Sequence, residues 1–178
     1  TSRGCLHLCR HCPIPPVYFG RFFAVPQAQV LADIEQLVAL GAEHVTFGDP
    51  DFLNGPTHAL AIVRAVHERW PHLTFDFTAK VEHLIKHAKL LPELAASGCL
   101  FVTSAVESLS NHVLERLEKG HTREDGLRAF ELTEAAGISL RPSLVAFTPW
   151  TTLADYAELL EVFEAHGWLD QLDPVQLS

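Results

Sequence analysis

The first 32 residues contain neither aspartate nor glutamate, although the 178-residue chain as a whole is acidic, with a net charge of −9. Arg3, Arg10 and Arg21 fall in that stretch and make it a basic segment on an acidic protein, a setting that suits an anionic ligand. The acidic remainder is a poor electrostatic partner for nucleic acid or an anionic membrane. No run approaches the roughly 20 apolar residues that span a bilayer, and nothing resembles a secretory signal, so a cytoplasmic protein is expected. Cysteine is scarce: there are four, and three of them lie within Cys5-Leu-His-Leu-Cys9-Arg-His-Cys12. Such close spacing rarely closes an unstrained bridge, which argues against a secreted disulfide framework. No G-x-G-x-x-G follows a strand, so a dinucleotide-binding turn is missing. Nor is there a linker or low-complexity stretch, and with 48% apolar residues the chain can build one substantial core.

What the sequence does have is the C-x3-C-x2-C loop, followed directly by Pro13. Three thiolates can be aimed at one point by such a loop, and the flanking arginines favour the thiolate form. A cubane of four irons needs four ligands, so three cysteines would leave one iron open. Two other metal chemistries remain compatible with the same residues. Cys5, His7, Cys9, His11 and Cys12 include the donor types of tetrahedral zinc, and a cluster used only for electron transfer would require a fourth protein ligand. Cys99, between Gly98 and Leu100-Phe101-Val102, reads as a buried small hydrophobe.

Beyond the loop, helical and strand periods alternate. The spacing predicts a helix over Pro26–Leu40, a strand over His44–Phe47, a helix from about Thr57 to Arg69 and a strand over Leu73–Ala79. Glu82–Ser97 reads as helical with a break near Pro92, and Leu100–Ala105 as the next strand. Asn111–Lys119 reads as a short helix; Thr122 with Asp125 forms a capping box opening a longer helix that ends at Gly137. Ile138–Val145 reads as a strand, Thr152 with Asp155 opens a helix to His166, and Pro174–Leu177 is expected to begin a last strand. Strands separated by single helices imply parallel βα units. A closed eightfold barrel takes around 250 residues, so the expectation is an α/β fold with a parallel sheet, a partial (βα)6 TIM-like barrel of about six units. Function in that architecture gathers at the carboxyl ends of strands, where Gly48-Asp49-Pro50-Asp51, Lys80, Ser104–Ser108 and Arg141 all fall. Most of the eleven histidines, His83 among them, are scattered over helices and read as solvated surface residues.

The cysteine loop after a first strand, inside this βα pattern, resembles the radical S-adenosylmethionine superfamily, and the resemblance covers nearly the whole chain. It implies a 4Fe-4S cluster on Cys5, Cys9 and Cys12, with S-adenosylmethionine chelating the open iron and undergoing reductive cleavage to a 5'-deoxyadenosyl radical. By the same resemblance His11, before the last cysteine, would contact the adenine, and Gly48, Asp49 and Asp51 would meet the methionine amino group. Ser104-Ala-Val-Glu107-Ser108 with Lys119-Gly-His-Thr122 is similar to methylthiotransferase-like and cobalamin-dependent members. It implies that Ser104 and Glu107 lie near the ribose or methionine part, and that Arg141 meets the carboxylate. Arg10-His-Cys-Pro-Ile-Pro-Pro16, Phe47–Asn54 and Phe147-Thr-Pro-Trp150 also resemble radical enzymes with a cysteine- or selenocysteine-containing tail. The resemblance further implies a small-molecule substrate and an external electron donor such as flavodoxin or ferredoxin. Residues 1–178 are expected to be one core domain excised from a longer chain.

Overall fold

The computed structural model describes residues 1–10 and 12–177. Strand β1 (Ser2–Gly4) leads into the cysteine loop, a short helix α1 (Ile14–Tyr18) and strand β2 (Phe22–Ala24), which returns antiparallel to β1. The turn back is tight. Gly4 has φ +79, and a Cβ there would sit 2.2 Å from the Arg21 carbonyl oxygen, so only glycine lets the strands meet immediately before Cys5.

The main sheet has four parallel strands in the order β3 (His44–Phe47), β4 (Thr74–Ala79), β5 (Cys99–Glu107) and β6 (Ser139–Leu144). Helices α2 (Gln27–Ala39) and α3 (Pro56–Arg69) flank β3. Helices α4 (Val81–Lys86) and α5 (Leu91–Ala96) join β4 to β5, α6 (Asn111–Leu117) and α7 (Arg123–Ala135) join β5 to β6, and α8 (Leu153–Ala165) follows β6. Consecutive strands are in register as His44↔Thr74, Phe75↔Cys99 and Phe101↔Ser139. Each strand presents alternate residues to the helices: Val45, Phe47, Phe75, Phe77, Val102, Leu140 and Leu144 are buried with Ile62, Leu84, Phe130 and Phe163 in one core. Polar side chains occupy the other face, where Asp76 accepts hydrogen bonds from Thr46 at 2.6 Å and is bonded to His44 Nε2 at 2.9 Å. A carboxylate only 5% exposed is tolerable there because it is hydrogen-bonded.

The α/β fold with a parallel sheet is as expected, and both capping boxes form, at Thr122 and at Thr152. The break expected near Pro92 is found, and two elements differ. Glu82–Ser97 is divided into α4, a 3-10 turn at Ala88–Leu90 and α5; Pro92, which lacks an N–H and fits a first turn, lies in the opening turn of α5. The β1–β2 pair and α1 lie in a stretch with no clear helical or strand period. Pro174–Leu177, expected as a strand, is a 3-10 turn. Asp173 starts it by accepting from the Val175 and Gln176 amides, and a segment led by proline enters a turn more readily than a ladder. Its Gln176 side chain accepts from the Leu144 amide at 2.9 Å, so it meets β6 through a side chain.

The segment after β3 is fixed by stacked rings. Phe52, in the 3-10 turn Phe52–Asn54, packs on Phe47 and Phe77 with centroids 4.9 and 5.0 Å apart. Phe77→Ala is expected to lower stability by about 3–5 kcal/mol, measured as a lower urea midpoint at unchanged slope.

Candidate functional site

The carboxyl ends of β3, β4 and β5 and the cysteine loop converge on one cavity of about 230 Å³, lined by Cys5, Cys9, Cys12, Lys80, Glu107 and Lys119. All three cysteines carry free thiols, and a backbone bond from the Cys12 amide to the Cys9 carbonyl at 3.2 Å curls the loop. Asn54 approaches its start, accepting from the Leu6 amide at 3.4 Å. His11 lies outside the described residues.

Glu107 enters the cavity because β5 ends irregularly. Its pairing with β6 shifts between Ser104 and Glu107, and Glu107 takes φ +63, a left-handed conformation rare for a side chain of that size. The Lys119 ammonium donates to Glu107 Oε1 at 2.9 Å, and both residues are buried. Two charges out of water are tolerable only as partners. Behind them His121 Nε2 donates to the Val106 carbonyl at 3.2 Å, and burial pushes the His121 imidazole below its ordinary pKa.

Lys80 stands at the end of β4 on the opposite side. Its ammonium donates to His7 Nδ1 at 3.0 Å and to Glu82 at 3.4 Å. With Nδ1 accepting, His7 carries its proton on Nε2 and donates to His83 Nε2 at 3.2 Å. His83 then presents Nδ1 to Asp51 Oδ2, 2.8 Å away, in a contact not aligned for a hydrogen bond. Burial, then Lys80 and then His83, hold the His7 pKa below its ordinary value, so His7 is the neutral link. Partial burial works to raise Glu82, but Lys80 outweighs it and leaves that carboxyl below its usual range.

His7, Asp51 and His83 have one candidate ligand atom each within 4.8 Å of the others, a spacing open to a metal ion. The Lys80 proton on His7 Nδ1 already supplies a cation to that group, and the ring faces Lys80 and His83.

The other candidate residues are distributed around this cavity. Asp49 is buried against the hydroxyls of Thr1, at 2.8 Å, and Ser2. Gly48 lines a neighbouring cavity with Ser2, Gly4 and Phe47. Asp51 caps the 3-10 turn by accepting from the Leu53 amide at 3.0 Å, and is linked to His7 of the cysteine loop through His83. Ser104 is fully buried and alternates away from Ala105, which does line the cysteine cavity. Arg141 lies 3.7 Å over the Phe101 ring and borders a separate space of about 460 Å³ with Thr103 and Asp170. His83, expected at the surface, is only 6% exposed because α4 turns it inward onto Asp51. In the sequence Lys119 stood only within Lys119-Gly-His-Thr122 with no role of its own, and His7 read as a candidate zinc donor; the signal for both was position, in the turn that closes back on β5 and inside the cysteine loop. Cys99 is buried as expected, and burial pushes its thiol up to about 12.

A family model described as the Radical SAM superfamily matches residues 1–163. A ribosomal protein uS12 methylthiotransferase RimO from Clostridium botulinum is 24% identical over 190 residues, covering 99% of this chain and 41% of the relative. A tRNA-2-methylthio-N(6)-dimethylallyladenosine synthase from Fusobacterium nucleatum is 28% identical over 182 residues, covering 90% of this chain and 39% of the relative. Among solved structures, the cobalamin-dependent S-adenosylmethionine radical enzyme OxsB, with aqua-cobalamin and S-adenosylmethionine bound, superposes with TM-score 0.78 at 26% identity over 92% of this chain and 26% of its own. TsrM from Kitasatospora setae, a radical methyltransferase, has the same fold at TM-score 0.78 and 22% identity, covering 93% of this chain and 33% of its own. The chain thus spans about two fifths of the length of these curated relatives.

His121 makes stability pH-dependent. Its folded pKa lies below the ordinary 6.5, so the unfolded chain binds more protons as pH falls through 6.5 and stability drops in that window. The urea midpoint is expected to fall from pH 7.5 to pH 5.5, and to fall less in His121→Gln, measured over the same two conditions.

Proposed function

The chain belongs to the radical S-adenosylmethionine superfamily, an enzyme family whose cofactors are a 4Fe-4S cluster and S-adenosylmethionine, and on that premise we propose that Cys5, Cys9 and Cys12 hold the cluster at the carboxyl edge of the parallel sheet. The observation that carries this reading is the cavity itself: all three thiols line it, together with a buried carboxylate and two ammonium groups. Soft sulfur donors suit iron-sulfur ligation, and three of them from one loop fit a cubane with one iron left for the cofactor. A zinc site using His7 is less well supported, because that ring is turned to Lys80 and His83.

When bound, the cluster and S-adenosylmethionine supply reductive cleavage of the sulfonium, which yields methionine and a 5'-deoxyadenosyl radical. This chain's residues bind, orient and shield. Glu107, aimed inward and charge-balanced by Lys119, offers an acceptor to the amino or ribose hydroxyl groups of the cofactor. Asp51 and His83 act at one remove by holding His7 and so the loop between Cys5 and Cys9. Asp49 braces β1 against the end of β3 through Ser2, and Gly48 borders the neighbouring cavity beside that crossing. His11 would meet the adenine. Ser104 is buried on the helix-facing side of β5, away from the cavity. The reaction after the radical is performed on a small-molecule substrate, and an external one-electron donor such as flavodoxin or ferredoxin supplies the reductant. Leu6, Leu8 and Phe19 are exposed in the same chain segment that carries Arg3, Arg10 and Arg21, a composition that suits an acidic donor, although Arg10 is paired with Glu118 at 2.7 Å.

Alanine at Cys5, Cys9 or Cys12 is expected to abolish iron and sulfide incorporation on anaerobic reconstitution, together with reductive cleavage of S-adenosylmethionine. Cys99→Ala is expected to retain both. Zinc bound in place of iron, or turnover surviving the loss of one of the three loop cysteines, would refute the assignment.

A further inference from the structure

We propose that Asn54 acts on the cluster through Cys5: once that sulfur is bound to iron, the Asn54 carboxamide turns its N–H end toward it and makes the cluster easier to reduce. This rests on the functional reading above and adds to it a side chain that tunes one of the three ligands. What points to it is a donor with nothing to donate to. Asn54 Nδ2 is buried and has no hydrogen-bond partner among the described residues. The other end of the same carboxamide, Oδ1, accepts from the Leu6 amide at 3.4 Å and stands 3.9 Å from Cys5 Sγ.

A buried amide N–H left unpaired bears the full cost of its lost hydration, and such groups are rare in folded proteins. Asn54 is nevertheless held at this spot from both sides. The Asp51 carbonyl accepts from the Asn54 amide at 3.2 Å, and Phe52 of the same 3-10 turn packs on Phe47 and Phe77. On the other side Phe22 of β2 comes so close to Gly55 that a Cβ there would lie 2.8 Å from the Phe22 Cζ. With the backbone pinned in this way, the carboxamide keeps one easy motion, rotation about its last bond, a torsion with a broad and roughly two-fold profile.

Ligation changes the demand at Cys5 in the direction that this motion answers. As a free thiol Cys5 is a donor, and the end of Asn54 it faces is an oxygen. A sulfur bound to iron has no proton to give and carries negative charge. A carbonyl oxygen beside it is repelled, whereas an N–H is attracted in the stronger, charge-assisted class of hydrogen bond. Half a turn of the carboxamide exchanges its ends. That turn gives up only the long contact to the Leu6 amide, and it leaves an oxygen rather than an N–H in the unpartnered position, the more readily tolerated of the two. Of the three loop cysteines Cys5 is the buried one, while Cys9 and Cys12 are partly exposed, so a donor aimed at Cys5 acts where water screens it least. The positive end of an N–H beside a ligand sulfur offsets the charge of an added electron, and hydrogen bonds to the sulfurs are among the factors that set a cluster's potential.

The test reads the reduction potential of the reconstituted protein by anaerobic titration with dithionite, followed by electron paramagnetic resonance without S-adenosylmethionine, with iron and sulfide determined in parallel. Asn54→Leu keeps the size and removes both ends of the carboxamide. It is expected to keep its iron and to shift the balance about tenfold toward the oxidised cluster at a given potential, which for a one-electron couple is a lowering of about 59 mV. Asn54→Asp keeps an acceptor for the Leu6 amide but has no N–H, and is expected to fall at least as far. An unchanged potential in Asn54→Leu with its iron retained would overturn the proposal. Where the variants lose iron, the wild type decides. Grown with asparagine labelled at the side-chain nitrogen, the reduced protein is expected to show a hyperfine coupling from that nitrogen to the cluster, and absence of the coupling would overturn the contact. The chain's other asparagine, Asn111, does not line the cysteine cavity and accepts from the Arg123 amide at 2.7 Å, so the signal reports Asn54. Failure of the wild type to take up iron at all would instead overturn the functional reading beneath the proposal.

Discussion

Parallel pairing of β3 through β6 is the constraint on which the site depends. Strands that all run one way deliver all their carboxyl ends to one edge, so Pro50 after β3, Lys80 after β4 and Glu107 at the end of β5 reach the same cavity though far apart in sequence. The β1–β2 pair then needs only to present the cysteine loop over that edge. Gly4 permits this by letting the Arg21 carbonyl approach where a side chain would clash. The phenylalanines beneath, Phe47, Phe52 and Phe77, stiffen the segment after β3 that the loop rests on.

The cavity is also an electrostatic construction. It combines two lysines, a buried glutamate and three thiols in little volume, and each charge is managed differently. Glu107 and Lys119 pair directly and are buried together. Asp51 is answered through two imidazoles by Lys80, with the neutral His7 in the middle. Burial disfavours a charge on His7 and the neighbouring ammonium adds to this, which keeps the ring neutral and able to accept. One ammonium is therefore paired with a buried carboxylate, and the other meets a neutral ring and a half-exposed carboxylate at the cavity wall. That asymmetry follows from chain connectivity: Lys119 lies in the turn that closes back on β5, whereas Lys80 extends from the end of β4.

Much of this was legible from residue patterns. Helical and strand periods marked the four parallel strands and their main helices, and threonine followed by aspartate three residues later marked both capping boxes. The cysteine spacing located the loop. What escaped was whatever depends on which way a side chain turns. Gly48-Asp49-Pro50-Asp51 reads as one acidic motif, yet extended backbone at Asp51 and the hydroxyls of Thr1 and Ser2 at Asp49 send the two carboxylates to different partners. Ser104 and Glu107 read as one stretch, but strand alternation buries the first, while a bulge and a left-handed backbone bring the second into the cavity. His83 looked like a surface histidine because helix position alone does not disclose a buried carboxylate facing it. Pro174–Leu177 failed for a local reason, since Asp173 and Pro174 favour a turn over an extended entry.

The polar face of the sheet below the cavity separates two tasks. Asp76, held by His44 and Thr46, and Arg141, resting on Phe101, lie on the side of the strands away from the helices. Charged groups so fixed cannot swing up to the cysteine loop without giving up their partners. Residues that would handle the cofactor therefore sit at the strand ends, while this face, set in place by its own hydrogen bonds and ring contact, forms a wall of different chemistry. The wall and the strand ends are held by separate partners, so a change in one leaves the contacts of the other in place.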